Sequence, residues 1–298
     1  MQHPDKGYRR IRDDLEHDFG INVNDKRVLR ICRAKKIKST IKYRNHGCTR
    51  NASNPQYMAE NVLGRNFHAP KPNVKWLTDV TEFKWYEGVE VHKIYLSAIL
   101  DLYDRRIVSY VISEHNDNPI VFDTFKAAVK ANPDAHPLFH SDRGFQYTNR
   151  TFHHMLKEAG MTQSMSRVAH CIDNGPMEGF WGILKREKYY GKRFTSKKEL
   201  VRMIRDYIFY YNTQRVQRNL GVVTPMEKFQ MAFAAQKICQ EQYTLGSKIL
   251  ILFHCTLDGA RFIGFSRAIF CERNQRVRSA GASCWEREKS PKKATRPA

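Results

Sequence analysis

The chain has 298 residues, 41% of them hydrophobic and 12% aromatic, which is enough apolar material for a sizeable core, and its 51 Lys and Arg against 30 Asp and Glu give a formal charge of +21. That imbalance selects for a polyanionic partner, nucleic acid ahead of an anionic membrane surface, and argues against an enzyme of small acidic solutes or a neutral scaffold. The longest apolar runs, such as residues 249–253, fall far short of the roughly 18 or more residues that a spanning helix needs, and no apolar signal core follows Met1, so the chain is expected to stay in the cytoplasm, without a membrane partner.

The charge is uneven: residues 1–70 carry +8, residues 71–229 carry +6 and residues 230–298 carry +7. In the first segment Tyr8, Ile11 and Leu15 recur at helical spacing, Gly20 breaks the pattern, and Asn24 is placed to cap a second helix through Val28, Leu29, Ile31 and Cys32. This is the outline of a helix-turn-helix over residues 1–44. Lys26, Arg27, Arg30 and Arg33 line one face of the second helix, as a groove-reading helix requires, although a solvated basic helix has the same pattern. Residues 45–72 are polar and broken by Asn, Gly and Pro, and read as a linker.

Beyond residue 72 the period changes. Residues 76–83, 92–102 and 107–112 are β-rich and joined by short turns, which predicts an antiparallel meander. Asn118-Pro119 opens a helix with Val121, Phe122, Phe125, Ala128 and Val129 on one face; residues 137–142 form a short buried strand ending in polar groups; residues 149–158 form a helix stopped at Gly160. After a polar stretch, Pro176 marks a helix start, and Leu200, Met203, Ile204, Tyr207, Ile208 and Tyr211 make a strongly amphipathic helix. Strands followed by alternating helix and strand predict an α/β class with a mixed sheet flanked by helices.

Three acids stand out by predicted position: Asp79 within the first strand, Asp142 at the end of a later buried strand, and Glu178 in the first turn of a helix. An unpaired Asp facing a core is costly, and converging carboxylates repel, so such a set calls for a cation, with hard oxygen ligands favouring Mg²⁺ or Mn²⁺. Glu82, Asp101, Asp104 and Asp173 are competing acids, and among 30 acids spacing alone does not select a triad.

Three blocks decide between them. Residues 76–83 (WLTDVTEF), 140–147 (HSDRGFQY) and 173–187 (DNGPMEGFWGILKRE), with 62 residues between Asp79 and Asp142 and 35 between Asp142 and Glu178, resemble the signature blocks of bacterial insertion-sequence transposases with a retroviral-integrase-like core. The resemblance extends over residues 7–229, through residues 210–215 and 220–225, and is to the product of the second reading frame of two-frame insertion elements.

It implies an RNase H-like catalytic core over residues 73–229, in which Asp79, Asp142 and Glu178 are the catalytic residues and hold two divalent ions, Mg²⁺ or Mn²⁺, for DNA strand cleavage and strand transfer. It also implies DNA contacts from Lys185, two helical turns beyond Glu178, with Arg143, Lys26, Arg27 and Arg30 as further contact residues. The implied partners are element-end and target DNA, further copies of the chain on that DNA, and the upstream-frame protein of the same element; the implied location is the bacterial cytoplasm, at the nucleoid when DNA-bound. The alternative is a remnant or regulator that binds DNA without cutting it.

Two positions depart from the family pattern: relatives often carry a His where this chain has residues 215–220 (RVQRNL), and a small residue other than Gly179 after the acid. The N-terminal module is expected to be incomplete. Residues 230–298 match nothing in that pattern; they hold four of the seven cysteines with no CxxC pair, which fits neither a disulfide framework nor a zinc site, and read as a basic tail.

Overall fold

Residues 75–101 of the computed structural model fold into a long antiparallel hairpin of β1 (Lys75–Glu87) and β2 (Glu90–Asp101), turned at Gly88, whose φ of 57° suits a residue without Cβ. The structure describes residues 5–41, 56–167 and 171–234, all within one unit spanning residues 1–237; residues 45–55 of the linker and nearly all of the basic tail lie outside the described residues. β3 (Ile107–Ser113) pairs antiparallel with β2, completing the predicted meander. β4 (Leu138–Ser141) joins the other edge of β1 in parallel, and β5 (Thr162–Met165) adds in parallel to β4, so the sheet order is β3-β2-β1-β4-β5.

Each face of the sheet is covered by helices, as the period-2 alternation demands. Leu77 and Phe83 of β1 and Leu96 of β2 are buried against α5 (Gly175–Leu184) and α6 (Lys197–Thr213) through Phe180, Leu184, Ile204 and Tyr207. Trp76, Ile99 and Phe139 are buried on the opposite side against α3 (Asn118–Ala131) and α4 (Arg150–Glu158) through Val121, Phe125, Phe152 and Leu156. The helix starts follow local capping chemistry: Asn149 accepts from Thr151 N–H at the head of α4, while α3 is capped by Asp117, one residue before the predicted start.

The N-terminal segment forms the expected pair of helices, α1 (Tyr8–Phe19) and α2 (Asp25–Ala34). Gly20 closes α1 in the left-handed region (φ 65°), and Asn24 Oδ1 accepts from Lys26 N–H at 2.8 Å to start α2. Val28 and Cys32 are buried; Lys26, Arg27, Arg30 and Arg33 are exposed and make no side-chain hydrogen bond or ion pair among the described residues. The helix pair is bonded to the sheet domain. Arg218 holds Asp13 at 2.7 Å and Asp25 at 3.1 Å, and Arg10 donates to Glu187 and Tyr210. A further helix covers residues 225–234.

Candidate active site

The β1–β4 register sets the first two acids. Leu77 pairs with His140, so two residues further along each strand Asp79 and Asp142 stand opposite one another at the carboxyl end of β4, where neighbouring strands are about 5 Å apart. Asp79 shares the face of Leu77 and Phe83, the face that α5 covers, and α5 brings Glu178 to it from above.

Four contacts fix α5 on β1. Asn174, just before the helix, donates from Nδ2 to Thr78 O at 3.1 Å; Trp181 donates from Nε1 to Asp79 Oδ2 at 3.0 Å; Lys185 donates from Nζ to Thr81 Oγ1 at 2.6 Å; and Tyr189 OH lies between Lys84 N–H and Lys84 O. Residues 181, 185 and 189 recur every four positions, against 79, 81 and 84 on the strand. The turn before α5 is clamped as well: Asp173 is buried and accepts from Arg65 at 2.6 Å, from Arg167 at 3.0 Å and from Asn61 at 3.0 Å, with Arg167 and Arg65 holding its carboxyl far below the usual carboxylate range.

The three acids share one electrostatic field. Burial, then the charge of Asp142 and also that of Glu178, push Asp79 up to about 8, against the hydrogen bonds from Val80 N–H and Trp181. Asp142 is raised by burial, against a 2.8 Å bond from Gly144 N–H, and Glu178 is raised by desolvation and by Asp142. Asp79 and Asp142 are half-buried, and Glu178 lies at the surface. Gly144 allows the tight approach at Asp142, since a Cβ there would meet Asp142 Oδ1 at 3.0 Å. Among the described residues no three acids, histidines or cysteines stand close enough together to grip a metal ion as they are.

The competing acids have structural partners. Asp101 is fully buried and accepts from Asn73 N–H, Tyr103 N–H and Trp76 Nε1; Asp104 holds Arg106; Glu82 pairs with Lys93 on the neighbouring strand. Of the basic candidates, Lys185 is half-buried, tied to Thr81 and 5.1 Å from the Phe83 ring centre, and burial lowers its pKa. Arg143, next to Asp142, donates from Nε to Ser166 O at 2.7 Å. Lys26, Arg27 and Arg30 sit apart from the acids, on α2. The sequence reading did not single out Trp181 or Asn174, the two side chains that tie α5 to β1 beside Asp79.

Two family models, each described as an integrase core domain, match residues 69–171 and 178–232, and a third, an HTH-like domain, matches residues 1–45. A putative transposase for the insertion sequence IS150 of Escherichia coli is 40% identical over 222 residues, covering 74% of this chain and 76% of that protein. The chain belongs to the bacterial insertion-sequence transposases with an integrase-like core. Two more relatives are a transposase-like protein of Haemophilus influenzae, 40% identical over 69% of this chain and 93% of its own length, and the transposase of IS904 from Lactococcus lactis, 32% identical over 71% and 82%. The mixed sheet and its flanking helices match the expected fold class, and the family acts in DNA transposition. Among the described residues no helix of the transposase is long and apolar enough to cross a membrane.

Proposed function

We propose that this transposase cleaves DNA strands at the ends of its element and joins them to target DNA, with Asp79, Asp142 and Glu178 as the catalytic carboxylates. The observation that carries this reading is the electrostatic coupling of three acids delivered by β1, the end of β4 and the first turn of α5. Protonated at neutral pH, a group such as Asp79 is a poor ligand and a poor base; a cation would let the whole set ionise.

The donor set fits divalent ions, since all three side chains are hard oxygen donors and the repulsion among them is what such a charge relieves. Two Mg²⁺ or Mn²⁺ ions held by Asp79, Asp142 and Glu178 would supply activation of the attacking hydroxyl and neutralisation of the leaving oxygen. Asp79 is held in place by Val80 N–H and Trp181, and Asp142 by Gly144 N–H, which leaves Glu178, exposed on its helix, as the acid that must move inward to complete the set. Arg143 and Lys185 flank the acids and are assigned to the DNA phosphates there, Lys185 after release from Thr81. Lys26, Arg27 and Arg30 on the free face of α2 are assigned to element-end DNA. Several copies of the chain act together on that DNA, and the upstream-frame protein is a further partner. In this reading residues 1–44, 73–229 and 230–298 are the DNA-reading, catalytic and tail regions, and the protein acts at the nucleoid.

The test uses purified full chain with duplexes carrying the element's own ends, in Mg²⁺ or Mn²⁺. The expected result is nicking by the parent and loss of nicking in Asp142→Asn, with DNA binding retained. Cleavage that survives Asp142→Asn overturns the site. The second reading, a DNA-binding regulator, is favoured by the free basic face of α2; binding without cleavage by the parent under all metal conditions would select it.

A further inference from the structure

Away from the carboxylates, the segment that leads into β1, the turn after β2 and the stretch before and within the 225–234 helix line an open cavity of about 480 Å³. Its lining carries Arg65, His68, Arg105 and Lys228 and contains no carboxylate side chain. The adjacent residues Arg105 and Arg106 show how unusual the first of these is. Arg106 is buried and conventionally neutralised, with Nε on Asp104 at 3.2 Å and NH2 on Asn73 at 2.8 Å. Arg105 is half-buried, donates only from NH2 to Phe67 O at 3.1 Å, and makes no ion pair among the described residues.

Burial lowers the pKa of the Arg105 guanidinium, opposed by the charges of Tyr211, Asp101 and Asp104, and its backbone is unusual as well. Arg105 and Arg65, both in the lining of the cavity, adopt the left-handed region, with φ of 64° and 62°, which ordinary L residues avoid. Cations gathered around one opening whose lining holds no carboxylate side chain make the arrangement of an anion site. Lys228, 5.5 Å from the Tyr103 ring centre and likewise without an ion pair among the described residues, adds a second cation to the same space.

We propose that this cavity binds a phosphodiester of DNA, through Arg105 and Lys228, at a place separate from both α2 and the acids. The guanidinium fork and an ammonium suit phosphate oxygens, and the volume accommodates a nucleotide's sugar-phosphate. Two connections tie the cavity to the carboxylates. Arg65 on its wall bonds Asp173, in the turn that starts α5 and hence leads to Glu178. Leu102 and Tyr103 follow Asp101, the partner of Trp76, and Trp76 lies three residues, about 10 Å, along β1 from Asp79. The proposal rests on the reading of the chain as acting on DNA, but not on its chemistry.

The experiment measures binding of the full chain to a fluorescent duplex of random sequence by anisotropy across a salt series, in chelator, so that catalysis plays no part. Arg105→Gln with Lys228→Gln is expected to weaken binding about tenfold and to reduce the slope of log affinity against log salt by about 1.8, two contacts at about 0.9 each. Lys228→Gln alone, on a helix surface where folding is not at risk, is expected to take about half of that slope. An unchanged slope in both variants overturns the proposal. Inorganic phosphate is the second arm: if it raises the melting temperature of the parent but not of the double variant while the DNA slope stays put, the cavity serves a small free anion and the DNA assignment is overturned. Failure of metal-dependent cleavage by the parent would leave this result standing, so the two readings fail separately.

Discussion

Arg10 reaches from the first helix to Glu187, 177 residues later in the chain, and donates from NH1 to Oε1 at 2.8 Å. Glu187 is almost fully buried and also accepts from Arg215 at 2.9 Å and from Tyr207 OH at 2.9 Å, while Arg10 turns its other nitrogen to Tyr210 OH at 2.6 Å. Glu187 thus bridges two guanidinium groups, Arg10 being shared with Asp5 at 2.8 Å, and joins the N-terminal helices to α6 and the segment after α5. Removing the acid leaves Arg10 with Asp5 but strands the buried Arg215, a loss on the order of 3–5 kcal/mol for a buried pair. Glu187→Ala is therefore expected to shift the urea midpoint strongly and to expose residues 1–34 to protease, whereas Glu187→Gln, which keeps an acceptor oxygen, loses less. Equal stability of Ala, Gln and parent would show that the network does not hold the helices.

The second prediction concerns pH and metal removal. Burial and the neighbouring acids raise Asp79 to about 8, so the folded chain holds a proton there that the unfolded chain, with an ordinary Asp, has released by about pH 4. The sign follows from linkage: a raised folded pKa stabilises fully below the unfolded value, and that contribution fades as pH rises through the folded value. Metal-free protein is expected to lose melting temperature between pH 5 and pH 8, by the equivalent of a few kcal/mol. Asp79→Asn flattens the decline, and Mg²⁺ restores stability mainly at the alkaline end. A metal-free melting curve that is flat across this window, or identical in Asp79→Asn, contradicts the shift.

Particular residues show how far the sequence could be read. Helix α2 was legible because Asn24 is a local cap, and the meander because hydrophobic alternation and short turns are local signals. Strand β5 was not recognised as such: its four residues, TQSM, are mostly polar, and Gln163 and Ser164 are buried only because they bond Tyr147 O, His140 and Leu63 N–H, partners supplied by distant segments. Asp101 looked as good a ligand as Asp79 in sequence, both being acids in strands; only the Asn73, Tyr103 and Trp76 donors show it to be structural. The spacing of the signature blocks points to the proposed acids, but the hydrogen bond from Trp181 to Asp79 and the anchoring of Arg10 on Glu187 depend on how α5 and α1 pack, which no local pattern encodes.

Gly179 supplies a third prediction. It lies inside α5, where glycine costs about 0.5–1 kcal/mol relative to alanine through backbone entropy. A Cβ there would meet nothing within 4 Å, and the side faces solvent. Gly179→Ala is expected to stabilise the transposase by about 0.5–1 kcal/mol in urea unfolding. Destabilisation would mean that the start of α5 needs the freedom of glycine, which would fit inward movement of Glu178.

The Trp181 indole is the one neutral donor reaching Asp79 from α5, and its effect can be separated from packing. A hydrogen bond to the ionised carboxylate favours the charged form, so it holds Asp79 below the value that burial and Asp142 alone would set. Trp181→Phe keeps an aromatic ring in the cluster with Phe180 and removes the donor. Two results are expected together: the acidic limb of the pH–cleavage profile moves to higher pH, and the Mg²⁺ concentration needed for half-maximal thermal stabilisation rises, because Asp79 must lose a more tightly held proton to bind the ion. A purely structural role would lower the melting temperature and the rate at every pH and leave the position of the limb unchanged. An unshifted limb in a folded Trp181→Phe protein would therefore remove Trp181 from the site, while the carboxylate set would still be tested by the Asp142→Asn experiment.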